Sequence, residues 1–338
     1  MEKKYILTEE AKEVGGHILH RIQAMRDFGG VQKGDLGGWV ESEENLSHDG
    51  DCWIFDNGRV FDNGRVFGDG RVSDNGWVSD NGKVSDDGWV YGDGKVFGNG
   101  EVYDNGWVYD DGWVYGNGRV SGNGKVSGNG RVSDNGWVSD NGKVSDDGWV
   151  YDDGWVYDNG WVFGNGEVYG NGRVFDNGRV SGNGKVSGNG RVYDNGWVSD
   201  NGKVFDNGWV FGDGKVFDNG WVFGDGRVFG NGEVYGNGRV FDNGRVFGDG
   251  RVFGNAKIGF NAYISSPRSY FVQGPIGSRN DFLTCYLDKD KKIYAVTGCF
   301  CGSIEVFVKK VKAVHGMNRW AKQYLKAAEM ARVMLSGD

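Results

Sequence analysis

The sequence of residues 58–69 is GRVFDNGRVFGD, two copies of a six-residue unit that fills most of the chain. Val occupies one position of this unit at every sixth residue from Val60 to Val252, and a Gly stands two residues before each of these valines. A short repeat with a fixed period is typical of a solenoid, in which neighbouring repeats stack on one another. The sequence therefore predicts an all-β solenoid.

Each six-residue unit divides into a strand and a corner. Side chains of a strand alternate between its two faces, so Val60 is predicted to face the core and Arg59 and Phe61 to face outward. Asp62 and Asn63 supply turn chemistry, because both residue types tolerate a positive φ. The period of six is interpreted as four strand residues followed by two corner residues.

The repeat resembles the hexapeptide repeat of left-handed parallel β-helices, in which an aliphatic residue leads each hexad and a small residue follows four positions later. Val60 and Gly64 fill these two roles. The flanking stretches 34–47 (GDLGGWVESEENLS) and 298–302 (GCFCG) are similar to those of bacterial and prophage hexapeptide-repeat proteins of the YdcK type. The resemblance implies a left-handed, triangular parallel β-helix with 18-residue coils and a small α+β cap at its C-terminal end.

Three regions are expected: an N-terminal cap with irregular first coils in residues 1–52, the β-helix in residues 53–264, and an α+β domain in residues 265–338. A flat solenoid with 12-residue coils is an alternative. Residues 72–91 recur identically at 132–151, a shift of 60 that is a multiple of 12 but not of 18. Most tryptophans of the array also share one phase of a 12-residue period, although duplication of the gene segment would produce the same pattern.

The C-terminal region has the pattern of a small cap. Apolar residues 282–287 and 293–296 flank a polar turn, which predicts a hairpin. Ser303 and Asn318 are typical N-caps and predict two helices after it. Such a cap would shield the open edge of the last coil.

Charge and hydropathy limit the classes of partner. The chain of 338 residues has a formal net charge of −9 at pH 7. This acidic balance argues against nucleic-acid binding and against binding to an anionic membrane, since both need a basic face. No apolar stretch has the length of a signal-peptide core or of a membrane span. The protein is therefore expected in the cytoplasm, with its four cysteines reduced.

The positions of the histidines argue against catalysis. Acyltransferases with hexapeptide repeats use a His as general base, but the sequence has no His between His48 and His315. His48 lies in the irregular first coils, and His17 and His20 flank an apolar strand-like run and are expected at the surface. We therefore predict no catalytic residue and no cofactor, with an acyltransferase on the same fold as the alternative.

Two features of the sequence are compatible with a metal site. Cys299 and Cys301 form a single C-x-C pair, whereas a four-ligand site needs two such pairs. The Asp-rich corners form rows of carboxylates, but calcium needs six to eight converging oxygens. Buried thiols and solvent-facing carboxylates account for both features, so no metal site is predicted.

The outward positions of the repeat carry Trp, Tyr and Phe mixed with Arg and Lys. Exposed apolar area of this extent marks an interaction surface, although aromatic side chains also stack along strands for structural reasons. The predicted function is a non-catalytic structural or binding scaffold of phage or prophage type, whose partner is an unknown protein, a polysaccharide or a second copy. A carbohydrate- or ice-binding solenoid is a minor alternative. The predicted surface consists of Trp137, Trp149, Trp161, Trp197, Trp209 and Trp221.

The inward Gly of each hexad tests the predicted geometry. If Gly136, Gly142 and Gly148 are extended and have free space beside them, replacing all three with Ala should stabilise the fold through added burial and lower chain entropy. If they instead form tight turns with positive φ, the same change should destabilise it. We expect stabilisation, because Ala256 and Ala262 occupy the same position of the repeat.

Overall fold

The computed structural model describes residues 3–336 and shows a parallel β-solenoid with a small α+β region at its C-terminal end. The chain forms two compact units, residues 1–177 and 178–338. Three longer strands open the chain: β1 (Tyr5–Val14), β2 (His17–Ala24) and β3 (Leu36–Val40). Strands β4 to β39 have two residues each and begin at every sixth residue, from Trp53–Ile54 to Tyr263–Ile264.

The coil of the solenoid is 18 residues long. Each two-residue strand pairs in parallel with the third strand along the chain, as in Val90 with Val108 and Val198 with Val216. Three parallel sheets result within each unit, one on each side of the coil. The prediction of an 18-residue, three-sided coil is confirmed, and the 12-residue alternative is wrong. The recurrence of residues 72–91 at 132–151, after 60 residues, therefore does not reflect the length of the coil.

The valines of the repeat form the core. Every Val from Val60 to Val252 in the hexad frame is at most 1% exposed, as predicted. The strands are shorter than the four predicted residues because the carbonyl oxygen of Phe61 accepts a hydrogen bond from the Gly64 N–H at 3.0 Å. This bond closes the corner and limits the strand to Arg59–Val60.

The first corner residue adopts a left-handed conformation. Asp62 has φ of 52°, and Gly68 has φ of 59° at the same position of the next hexad. Only Gly and, to a lesser extent, Asp and Asn adopt this conformation at low cost. The alternation of Gly and Asp at this position follows from that requirement.

The inward Gly does not have a positive φ, but it has no free space beside it. Gly136 does not have a positive φ, and a Cβ added to it would lie 2.5 Å from the carbonyl oxygen of Val150. This oxygen belongs to the backbone, so it cannot move without displacing the following coil. The expectation that Ala would stabilise this position is therefore wrong. Ala256 and Ala262 are accommodated because they lie in the last coil, and the chain after Ile264 leaves the repeat.

The first unit begins with an antiparallel hairpin. Strand β1 pairs with β2, β2 pairs antiparallel with β3 through His20 and Val40, and β3 pairs in parallel with β5 (Arg59–Val60). A 3₁₀ turn at Glu43–Asn45 follows β3. The hairpin thus covers the side of the first coil that would otherwise be an open sheet edge.

The second unit ends in the predicted α+β cap. Its antiparallel sheet contains β40 (Tyr270–Ile276), β41 (Asp281–Leu287), β42 (Ile293–Thr297) and β43 (Phe300–Ser303) in that order. Two helices follow and pack on this sheet through an apolar core that includes Phe307 and Leu283. Ser303 and Asn318 cap these helices, as predicted. The helices are α1 (Ile304–His315) and α2 (Arg319–Leu335).

Neither helix within residues 3–336 has both the length and the apolarity that a membrane crossing requires.

Candidate functional site

The six predicted tryptophans do not form one surface. In the first unit Trp137, Trp149 and Trp161 lie on three different sheets. In the second unit the same holds for Trp197, Trp209 and Trp221. A step of 12 residues is two thirds of an 18-residue coil, so it moves each successive Trp to another side.

Several of these tryptophans are held by the neighbouring coil. The indole N–H of Trp137 donates to the Ser121 hydroxyl at 2.9 Å, and Trp149 and Trp161 bond the Ser residue 16 positions before them in the same way. The Trp137 ring also stacks on Trp155, with centroids 5.0 Å apart and planes 3° apart. These contacts join the aromatic side chains to neighbouring coils. They agree with the alternative that these aromatic side chains stack along the strands for structural reasons.

Trp209 and Trp221 lie between cationic side chains. The Trp221 ring has Lys203 at 5.1 Å and Arg239 at 4.6 Å from its centroid, one on the coil before and one on the coil after. Trp209 has Arg191 and Arg227 in the equivalent positions, at 5.2 and 4.8 Å. A cation over an indole face is stabilised by the ring quadrupole. The outer surface thus offers alternating aromatic and basic groups at the spacing of the coils.

A groove runs along one corner of the second unit. Its volume is about 420 Å³. Each of four successive coils contributes its corner Asn and the outward side chain two residues later. The lining residues are Asn183, Lys185, Asn201, Lys203, Asn219, Trp221, Asn237 and Arg239.

A similar groove of about 290 Å³ lies along a corner of the first unit. It has the same composition, with Asn at the corner and Lys or Trp two residues later. Its lining residues are Asn105, Trp107, Asn123, Lys125, Asn141, Lys143 and Asn159. From the sequence, these asparagines were predicted to form turns only; the signal for a groove is their constant spacing from Lys and Trp.

The corner amides differ between corners. Along a corner of the first unit, Asn63 donates to Asn81 at 3.3 Å, Asn81 to Asn99 at 3.2 Å, and Asn99 to Asn117 at 3.1 Å. In the second unit's groove, no side-chain hydrogen bond joins any pair of successive Asn residues from Asn183 to Asn237 within the described part of the chain. At one end of the groove the Asn237 amide donates to Asn255 at 3.2 Å, so the groove amides available to a ligand are those of Asn183, Asn201 and Asn219.

His48 contacts the N-terminal strand. Its Nδ1 accepts a hydrogen bond from the Lys4 backbone N–H at 3.2 Å, and its ring stacks on Tyr5 with centroids 4.4 Å apart. Its Nε2 lies 3.8 Å from a Glu43 carboxylate oxygen. His48 also lines an open depression of about 560 Å³ that includes Arg65. The ring and Nδ1 of His48 thus have structural partners, whereas its buried Nε2 has no hydrogen-bond partner within the described residues.

His17 has carboxylate partners, which the expectation of an ordinary surface residue did not include. Its Nδ1 lies 3.1 Å from Glu41, and its Nε2 lies 3.6 Å from Asp62. The hydrogen bond with Glu41 raises the pKa of His17. Burial alone would raise the pKa of Glu41, but hydrogen bonds from His17 and from the Asp62 N–H outweigh it and lower that pKa. No motif in the sequence marks this cluster, because its members are separated irregularly.

The two cysteines of the C-x-C pair have different partners. Cys299 is exposed and lies 3.7 Å from the Arg279 guanidinium. Cys301 is half-buried and lies 3.7 Å from the Tyr286 hydroxyl. Burial raises the pKa of the Cys301 thiol.

Comparison with known proteins adds a partial match. No family model matches the chain. The chain is similar to an "Uncharacterized acetyltransferase YdcK" of Escherichia coli (strain K12), at 33% identity over 66 residues. The match covers 17% of this chain and 20% of that protein, so the chain matches about a fifth of the relative's length. The similarity agrees with a β-helix repeat protein and does not extend to a shared activity.

Proposed function

We propose that the protein is a non-catalytic binding scaffold whose corner grooves hold a linear, acidic polysaccharide. The groove of the second unit carries this proposal, because four successive coils each contribute an Asn and a basic or aromatic side chain. Parallel strands lie about 4.8 Å apart, so the groups form a straight, regular row. A ligand that is itself a linear repeat can meet such a row at several points at once.

The chemistry of the groove supports this ligand class, because its lining carries Lys and Arg side chains and no carboxylate, although the chain as a whole has a net charge of −9. Amides such as those of Asn201 and Asn219 can donate to and accept from sugar hydroxyls. Lys203 and Arg239, which lie on either side of the Trp221 ring, supply charge for carboxylates. Trp221 is the member of the predicted tryptophan surface that lines a groove. The resemblance of the flanking stretches supports the wider proposal of a cytoplasmic, prophage-related protein.

Affinity electrophoresis in gels that contain a polyuronate or a neutral glucan tests the proposal. We expect retardation by the polyuronate and at least a tenfold weaker affinity for the variant Asn201→Ser/Lys203→Gln/Asn219→Ser. The matched control is Asn207→Ser, since Asn207 is a corner residue of the same unit outside the groove. Equal retardation of the two variants, or no retardation of the unaltered protein, would contradict the proposal.

An acetyltransferase is the second candidate, favoured by the name of the partial relative. The general base would be His48, which lines a depression with Glu43 and Arg65. Calorimetry with acetyl-CoA tests it, together with an assay for acetyl transfer to amines. Saturable binding with turnover that His48→Asn abolishes would replace the scaffold proposal.

A further inference from the structure

Three neighbouring strands bring one His and two carboxylates together at their ends in the first unit. His17 opens β2, Glu41 follows the last residue of β3, and Asp62 lies in the corner after β5. Val40 of β3 is the register partner of Val60 of β5, so Glu41 and the corner after β5 lie side by side. The antiparallel pairing of β2 with β3 places the beginning of β2 at the same end.

The three side chains lie close together. One ligand atom from each of His17, Glu41 and Asp62 can be chosen so that all three lie within 4.8 Å of one another. The side chains are about one third exposed, at 31%, 34% and 32%. An ion can therefore reach the cluster from solvent, and water can complete its coordination.

Contacts around the cluster orient its members. The second Glu41 oxygen accepts a hydrogen bond from the Asp62 backbone N–H at 2.7 Å, and the His17 ring packs against Phe61 with centroids 4.9 Å apart. Neighbouring groups that fix the direction of a ligand in this way strengthen metal binding. The two carboxylates also lie close together, so a divalent cation between them relieves their mutual repulsion.

We propose that His17, Glu41 and Asp62 form a binding site for a divalent transition-metal ion. One imidazole nitrogen with two carboxylate oxygens suits zinc, manganese or iron(II), whereas calcium and magnesium prefer oxygen ligands alone. His17 Nδ1 faces Glu41 and Nε2 faces Asp62, so an ion with bonds of about 2.0–2.2 Å takes one of these nitrogens and draws the other carboxylate toward it. Three protein ligands leave at least one coordination position for water. The ion would link the N-terminal hairpin to the first coil.

Calorimetry with Zn²⁺ tests the site after removal of bound metal with EDTA. The background is Cys299→Ser/Cys301→Ser, because exposed thiols also bind zinc. We expect one saturable site per chain and a higher unfolding temperature with Zn²⁺. His17→Phe, which can keep the packing on Phe61, and Glu41→Gln, which can keep the bond from the Asp62 N–H, should each weaken binding at least tenfold.

His20→Phe is the matched control, because His20 lies on the same strand and its Nδ1 faces the Thr8 carbonyl oxygen instead. It should leave zinc affinity unchanged. Absence of saturable binding would overturn the proposal, as would equal loss in His20→Phe and His17→Phe. Asp62→Asn is a suitable further variant, because Asn also adopts the positive φ of this position. Zinc affinity that is retained in both Glu41→Gln and Asp62→Asn would also overturn the proposal.

Discussion

The last coil of the solenoid differs from the coils before it at one position of the hexad. The inward small residue is Gly throughout the repeat, up to Gly250, and is Ala at Ala256 and Ala262. At Gly238 an added Cβ would lie 2.7 Å from the Val252 carbonyl oxygen of the following coil. No coil follows Ala256 and Ala262. Within the repeat, the neighbouring coil therefore limits this position to Gly, together with the corner carbonyl three residues earlier, since the Ser133 oxygen would lie 2.9 Å from a Cβ on Gly136.

The largest expected effect comes from filling these Gly positions within the repeat. Replacing Gly136, Gly142 and Gly148 with Ala places three methyl groups against backbone carbonyls of the next coil. Overpacking of a tight core costs typically about 1–3 kcal/mol per site. We expect the free energy of unfolding to fall by several kcal/mol, measured by denaturant titration.

Ala256→Gly is the matched change in the last coil. Gly in a strand costs roughly 0.5–1 kcal/mol relative to Ala, and the lost methyl burial adds about 0.8 kcal/mol. The triple Ala variant therefore measures a large steric effect, and Ala256→Gly measures a smaller effect of chain entropy and methyl burial. A triple Ala variant as stable as the unaltered protein would show that the coils can separate slightly, and the comparison would fail.

A smaller effect is expected where a Trp bonds the preceding coil. Ser121→Ala removes the acceptor of the Trp137 N–H, and Trp137→Phe removes the donor. A hydrogen bond contributes about 0.5–1.5 kcal/mol net, so a double-mutant cycle of the two changes should give a coupling energy of about 1 kcal/mol. The cycle is needed because Trp137→Phe also alters stacking on Trp155. A coupling energy near zero would mean that the outward tryptophans are not held by these bonds and are free for a partner.

Much of the solenoid could be predicted from the hexad. The alternation around Val60 defines the core, and the Asp or Gly after it defines the corner. The number of strands per coil could not be derived from the hexad, because it depends on the angle at each corner; it came from the resemblance to known β-helices. The crowding at Gly136 involves a residue 14 positions ahead, and such a contact appears only after the coil length is known.

The candidate sites were harder to predict for the same reason. The groove of the second unit depends on which outward residues share a side of the coil, and the 12-residue phase of the tryptophans indicated the wrong grouping. His17, Glu41 and Asp62 come together through the hairpin, which lies outside the repeat and has its own register. Periodicity therefore predicts the array well and its irregular beginning poorly.

A pH-dependent effect is expected at that beginning, where a hairpin strand covers a Trp that another coil would otherwise cover. The Lys12 ammonium lies 4.0 Å from the Trp39 ring centroid, and Trp39 is 7% exposed. Burial, followed by the nearby Arg59 and Arg21 charges, lowers the pKa of Lys12 from 10.5 to about 8, with Glu10 acting in the opposite direction. Lys12 is thus held where its charged form is disfavoured.

The sign of the pH dependence follows from this lowered pKa. Below pH 8 both the folded and the unfolded chain carry the Lys12 proton, and between about pH 8 and 10.5 only the unfolded chain keeps it. Stability rises with pH wherever the unfolded state binds more protons. The contribution of Lys12 should therefore increase stability over this window, with a slope of at most about 1.4 kcal/mol per pH unit.

Lys12→Met keeps the apolar stem on Trp39 and removes the titration. We expect the free energy of unfolding of the unaltered protein, minus that of the variant, to increase between pH 8 and 10. The subtraction cancels tyrosines and other lysines that titrate in the same range. A difference that stays constant or decreases with pH would show that the Trp39 ring face stabilises the ammonium enough to offset its burial.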